Sequence, residues 1–429
     1  MEVINTKPAM SENKRLSLKL LIIVGISVLL LIPQFLIMNL ISERQSTRGD
    51  AKRELAKSWG MDQHVGGPAV VIPGGKETLY LFPESLDVTG NVQTQTLKRG
   101  IFDFSVYNAP VKMSGIFKCP KELLTREISK KSSDKAFLFI GLEDLRGLSE
   151  NVTVLLNGVA CEVEPASSIS DAPSNSGLVC AFDLASLLGG DTVLFEITLP
   201  IKGIDGLFLA PVGNATSVSL TSDWGDPSFQ GNFLPIHREI NDNGFKADWK
   251  VMALNRDYGQ IATNCTNWEY MMNRSELGVN LCIPVDQYQQ TTRTVKYAIL
   301  IIVLTFAVVF FVEIRRKTNI HIVQYILIGI ALLLFYTLLL SFSEHLAFAL
   351  SYAIAALMTI GLITAFMAAI LKDKKTALVV GGLLTLLYIF IYVLLQLESY
   401  ALLAGSLGLF IILAVTMYAT VKLRKAQEK

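Results

Sequence analysis

Charge is scarce in this chain. Of 429 residues, 17% are charged and 51% hydrophobic, with a mean hydropathy of +0.45. That excludes an ordinary soluble protein and points to membrane spans. Neither sign of charge dominates, since 38 Lys and Arg stand against 37 Asp and Glu for a net of +1. No basic stripe interleaves with aromatics, so nothing provides for nucleic acid as a partner. Histidine is limited to His64, His237, His321 and His345, and cysteine to five residues. There is no C-x-x-C, and no His lies near a Cys, so no metal-ligand spacing exists. Enzyme motifs are absent too: G-x-S-x-G, G-x-x-x-x-G-K-[ST], H-E-x-x-H and G-x-G-x-x-G. The residues therefore assign no catalytic group, no metal and no cofactor.

What the chain has is apolar length. A bilayer crossing takes about 20 apolar residues, and six stretches qualify: 20–42, 297–314, 322–343, 346–371, 376–397 and 399–421. The first is too long for a signal peptide, whose apolar core has roughly 7–15 residues, and no A-x-A cleavage pattern follows it. It reads as an uncleaved anchor, with Pro33 expected to kink it or mark an unwound point. Orientation follows from Lys and Arg in the short flanks. Lys14, Arg15 and Lys19 precede the first span, and Arg315, Arg316 and Lys317 follow the second. Lys372, Lys374 and Lys375 follow the fourth, and Lys422, Arg424 and Lys425 the sixth. Six spans with residues 1–19 and the tail 422–429 in the cytoplasm put all four clusters inside. The fold class expected is thus a membrane α-helical bundle of six transmembrane helices, with a large β-rich extracytoplasmic domain, residues 43–296, inserted between helices 1 and 2.

That outer segment is long enough for its own core. Apolar and polar residues alternate in Thr78–Pro83, Gly100–Phe117, Asn151–Pro165, Thr192–Pro200, Ala215–Trp224 and Ala247–Asn255, bounded by Gly, Asn and Pro. Asn157-Gly158 between two such runs signals a hairpin. Antiparallel sheets, in a sandwich, are the expectation. Residues 43–57 are helix-compatible and extend the first span outward, with Arg44, Arg48, Lys52 and Arg53 expected on the surface. All five cysteines fall in this segment, and Cys161–Cys180 and Cys265–Cys282 are the candidate disulfides, with Cys119 left over.

Two stretches are candidate sites. "SFSEH", Ser341 to His345, places ionisable residues between two apolar runs. One reading is a capping box, with Ser341 capping the fourth span and Glu344 reaching back to it. The other is a site in which Glu344 and His345 meet Glu398 at the outer end of the fifth span, because ionisable groups at membrane depth are functional suspects. Adjacent residues on one helix do not share a face, which weighs against the second reading. "SDWGDPSFQGNFLP", Ser222 to Pro235, is a shaped loop whose candidates are Asp223, Trp224 and Asp226. Such composition serves turn geometry as readily as function.

Long strings of the chain resemble the CreD family of bacterial inner-membrane proteins. They include "LLIPQFLIMNLISERQSTR" from Leu30, "SDWGDPSFQGNFLPIHREI" from Ser222, "GFKADWKVMALNR" from Gly244 and "GVNLCIPVDQYQQTTRTVKYAIL" from Gly278. Two more run from Val323 to Ala356 and from Leu394 to Leu423, and the likeness is weakest over Lys121–Val193. The resemblance implies a Gram-negative inner membrane and a role in cell envelope integrity. It also implies output of a two-component stress response, with tolerance of colicins and β-lactams. It brings no catalytic residues. Three functions stay open. The first is a non-enzymatic envelope protein whose outer domain binds an envelope protein or cell-wall component while the bundle touches membrane lipid. The second is a membrane enzyme or lipid transporter using Glu344, His345 and Glu398. The third is an adaptor for a sensor kinase or secretion machine.

Overall fold

A computed structural model describes residues 12–73, 78–118, 135–169, 172–183, 192–263, 268, 272, 274–281, 287–316, 318–397 and 400–427. The chain divides into two compact units, Met1–Thr47 with Val285–Lys429, and Arg48–Pro284.

The first unit is helical. Helix α1 is Glu12–Leu29 and α2 is Leu31–Trp59. They form one apolar run broken for one residue at Leu30, four positions from the bond that Gln34 still makes, at 3.4 Å, to the Leu30 carbonyl. Pro33 explains the break: it has no N–H to give the carbonyl of Leu29. After α3, Gln287–Lys296, come α4, Ala298–Arg316, α5, Ile322–Ser343, α6, Phe348–Leu371, α7, Lys374–Gln396, and α8, Ala401–Gln427. Five helical stretches are long and apolar enough to cross a membrane: Ser17–Trp59, α4, α5, α6 and α7. In α8 the apolar stretch is shorter, Leu403–Tyr418. The expected sixth span, 399–421, is therefore helical from Ala401 without meeting that length among the described residues.

Apolar helices pack here through small residues and aromatics rather than by exclusion of water. Gly329 of α5 sits so close to Leu30 that an added Cβ would lie 2.3 Å from Leu30 Cδ1. Phe335 of α5 packs edge-on against Tyr352 of α6 and Tyr388 of α7, and Tyr352 donates a 2.8 Å hydrogen bond to the Tyr388 carbonyl. Helix α3 is polar in composition yet buries Tyr288, Thr291, Thr294 and Val295 along one face, against α4, α5 and α7.

The second unit is built from two sheets. The eight-stranded sheet runs, edge to edge, His237–Asn241, Gly244–Met252, Ala215–Ser222, Ser85–Arg99, Phe102–Lys118, Thr192–Ile204, Thr153–Leu156 and Val159–Cys161. The other sheet has nine strands centred on Gln63–Ile72, which pairs parallel with Gly206–Leu209 and antiparallel with Lys135–Leu142 and Leu79–Leu81. Both sheets feed one hydrophobic core, from Val65, Phe139 and Leu209 to Val88, Val111, Leu199 and Trp249. The Asn157-Gly158 hairpin forms as the sequence expects: φ is 50° and 79° at the two turn residues, and Leu156 faces Val159. Most pairings are antiparallel, but Ala215–Ser222 runs parallel to Ser85–Arg99.

Candidate functional site

"SFSEH" ends a helix rather than starting one. Helix α5 continues through Ser343, Glu344 is its C-cap in αR geometry, and α6 starts only at Phe348 behind Ala347, without a side-chain cap. The expected capping box, with Ser341 opening the fourth span, is thereby overturned. The reason lies in the partners of Glu344: Oε1 accepts from Tyr288 Oη at 3.5 Å and faces Arg44 Nε at 3.5 Å. A half-buried carboxylate held by a cation and a phenol is a tether between α2, α3 and the end of α5. His345 is exposed in the turn that follows. Glu398 lies outside the described residues.

Near the other end of α5, Glu313 of α4 is held in a network. Lys19 Nζ donates to Glu313 Oε1, to the Ile320 carbonyl at 2.6 Å and to Asn319 Oδ1 at 3.2 Å. Tyr325 Oη donates to Glu313 Oε2 at 2.8 Å, and the Ile320 N–H donates to Oε1 at 3.1 Å. Glu313 is 6% exposed, so its charge is sustained by the complete partner set. The network locks α1 to the α4–α5 connection.

In the β-rich unit the shaped loop is held at each candidate residue. Asp223 Oδ1 accepts from the Thr94 N–H at 2.9 Å and from Thr94 Oγ1 at 2.8 Å, which clamps the loop onto the Ser85–Arg99 strand. Trp224 Nε1 donates to the Asp226 carbonyl at 3.0 Å, and the ring packs on the core. The Asp226 side chain is exposed. Trp224 is thus structural, while Asp223 also lines an open groove of about 600 Å³ with Trp59, Asn91, Gln93, Gln95 and Asn108. The only sign of that groove in the sequence is the "NVQTQT" run, whose outward positions are all amides.

A second recess lies around His64. Its Nδ1 is 2.7 Å from Glu276 Oε2, and its ring stacks on Phe208 with centroids 4.8 Å apart. Burial lowers the imidazole's proton affinity, but the Glu276 carboxylate, helped by Glu143 and Asp62, outweighs it and holds the pKa above 6.5. The recess walls include Trp268 and Met272, and its bare floor at Gly66 and Gly141 is taken up by the Trp268 indole. Ser176 Oγ, on the same rim, is bound to the Leu142 and Glu143 carbonyls rather than to His64.

The expected Cys161–Cys180 disulfide is not formed; both are free thiols lying against each other. Burial, followed by the neighbouring Cys161, raises the Cys180 thiol's pKa and disfavours its thiolate. Cys119, Cys265 and Cys282 lie outside the described residues. Lys52, expected on the surface, is instead paired with Asp205 at 2.8 Å and Asp62 at 3.2 Å. Among the described residues no group of three His, Cys, Asp or Glu could hold a metal.

The family model for "Inner membrane protein CreD" matches residues 15–425. This chain belongs to the CreD family. Within that family, the inner membrane protein CreD of Escherichia coli strain K12 is 31% identical over 418 residues, covering 92% of this chain and 90% of the relative. The CreD match takes in both units, from α1 to α8, so the β-rich part is as much family property as the helices. Family membership and the five long apolar helices together make this a multi-pass inner-membrane protein.

Proposed function

We propose that this protein supports cell envelope integrity under stress, without catalysis of its own, as an output of an envelope stress response. Its six helices span the inner membrane with both termini in the cytoplasm. Residues 43–296 stand in the periplasm, inserted between helices 1 and 2, and bind an envelope protein or a cell-wall component. The bundle anchors the chain among membrane lipid. The observation that carries this reading is the distribution of Lys and Arg. Four clusters, at 14–19, 315–317, 372–375 and 422–425, fall on one side of a six-span arrangement, and the two short connections on the other side, around Ser341–His345 and at Glu398, carry none. The held state of Glu344 speaks against the enzyme and transporter reading, because its carboxylate is already committed to Arg44 and Tyr288.

The test is rescue of a deletion strain, scored by dye exclusion and β-lactam sensitivity, with protein levels checked by immunoblot. Glu344→Ala, His345→Ala and Glu398→Ala are compared with Asp223→Ala and Asp226→Ala. Full rescue by the first set is the expected result. Its failure at normal protein levels would transfer the activity to the bundle's outer end.

A further inference from the structure

We infer that the groove beside Trp59 is a saccharide-binding site, taking a neutral, amide-bearing glycan of the N-acetylhexosamine class. The inference rests on the reading that the β-rich unit meets an envelope component, and it names the chemistry of that component.

The groove is built where the end of α2 borders the outward face of the eight-stranded sheet. Side chains alternate along a strand, so Asn91, Gln93 and Gln95 share one face of Ser85–Arg99. Cross-strand pairing extends this face: Gln93 stands opposite Asn108, and Asn108 opposite Lys202. Gln93, Gln95 and Asn108 are exposed, and their amides have no protein hydrogen-bond partner among the described residues. Asn91 receives only Thr221 Oγ1, at 3.2 Å. Trp59 forms the wall. It is half-buried on a small cluster of Ala56, Val106 and Ile204, so its indole is fixed before any ligand arrives. The space, about 600 Å³, falls within the roughly 300–1,000 Å³ of small-molecule sites.

The chemistry selects among ligands. Each amide offers two donors and one acceptor carbonyl in a plane, which matches the vicinal hydroxyls and acetamido group of such a sugar. A flat indole covers the C–H face of a pyranose ring by weak C–H contacts. Lys202, whose ammonium lies 5.8 Å from the Trp59 ring, and Asp223 are of opposite sign, so neither a phosphate nor a cation is favoured. Nucleic acid would need a run of cations. An extended peptide would need a free strand edge, and both strands of the floor are interior to the sheet.

The test uses the full-length protein in detergent and three probes: an N-acetylglucosamine tetramer, purified murein sacculi and lipopolysaccharide micelles. Binding of the tetramer is followed by saturation-transfer NMR, and retention on the other two by cosedimentation. The double variant Gln93→Ala/Asn108→Ala removes two exposed, unpartnered amides and keeps the fold, which an unchanged melting temperature verifies. Trp59→Ala is the companion variant. Saturable binding by the native chain, weakened about tenfold or more in the double variant as two lost neutral hydrogen bonds imply, is the expected result. Retention on sacculi assigns the sugar to the wall, and retention on lipopolysaccharide to a lipid-linked glycan. No saturable binding to any probe, equal binding by the double variant, or binding of an unstructured peptide in place of sugar would overturn the assignment. Rescue of dye exclusion by the native chain is scored in parallel. Rescue without glycan binding removes this inference alone, and glycan binding without rescue removes the envelope reading alone.

Discussion

Replacing Lys19 by Met leaves the Glu313 carboxylate without its counter-charge. The two side chains are 15% and 8% exposed, so water replaces little of what is lost. Breaking one side of a buried ion pair costs about 3–5 kcal/mol. Here the Ile320 carbonyl and Asn319 Oδ1 lose a donor as well. Glu313→Gln keeps one acceptor oxygen, for Tyr325 Oη or the Ile320 N–H, but turns an amide NH2 toward the other donor and leaves Lys19 without its counter-charge. It should cost about as much as Lys19→Met, about 3–5 kcal/mol. In Lys19→Met/Glu313→Met the unpaired charge is gone, and the double variant is expected to be less destabilised than the sum of the single changes by about 2 kcal/mol. The assay is reversible denaturant unfolding of the full chain in detergent micelles, followed by circular dichroism, for the native protein, both Met variants and the double variant. A Lys19→Met cost below about 0.5 kcal/mol, or additivity within that margin, would show that the network does not bear on stability.

Three further outcomes are expected. The folded pKa of His64 lies above its unfolded value of 6.5, so its proton-linked stability is fully present below that pH and is lost as pH rises through the folded value. Melting temperature should fall as pH rises above about 6.5, and Glu276→Gln should flatten that slope; an unchanged slope in Glu276→Gln would refute the pairing. At Gly115 an added Cβ would lie 2.0 Å from the Ser85 carbonyl oxygen, so Gly115→Ala should cost about 1–3 kcal/mol or more in denaturant unfolding, and a neutral effect would contradict the close strand approach. Asp223→Ala removes both bonds to Thr94 and should lower stability by about 1 kcal/mol, whereas Asp226→Ala should leave it unchanged, since the Trp224 indole binds the backbone of Asp226 and not its side chain.

The helices were legible because apolar length is a one-dimensional signal, and Pro33 located the break at Leu30 from covalent chemistry alone. The alternating strands were legible for the same reason, as at Phe102–Lys118 and Ala215–Ser222, each with one buried face. Gln63–Ile72 escaped notice because it is buried on almost every residue, so its sequence carries no alternation. Helix α3 was hidden by its polar composition; its four buried residues, two of them threonines, give no apolar run. The loop at Ser222–Pro235 could be recognised as shaped, but its groove could not. Trp59, Gln93 and Asn108 come from three separate elements, joined only by strand pairing and by the end of α2. "SFSEH" was misread because a capping pattern is local, while the partners of Glu344 are Arg44 and Tyr288, distant in the chain.

Which side of the inner membrane the β-rich unit occupies decides what it can bind. Gly100 sits at a hairpin tip with φ of 63° and open space around it, so an epitope inserted there leaves the sheet intact. In spheroplasts of a strain carrying that tagged protein, antibody added from outside should label the epitope without permeabilisation, while a tag after Lys429 should need lysis. Labelling of the Gly100 epitope only after lysis would place the unit in the cytoplasm and contradict the account.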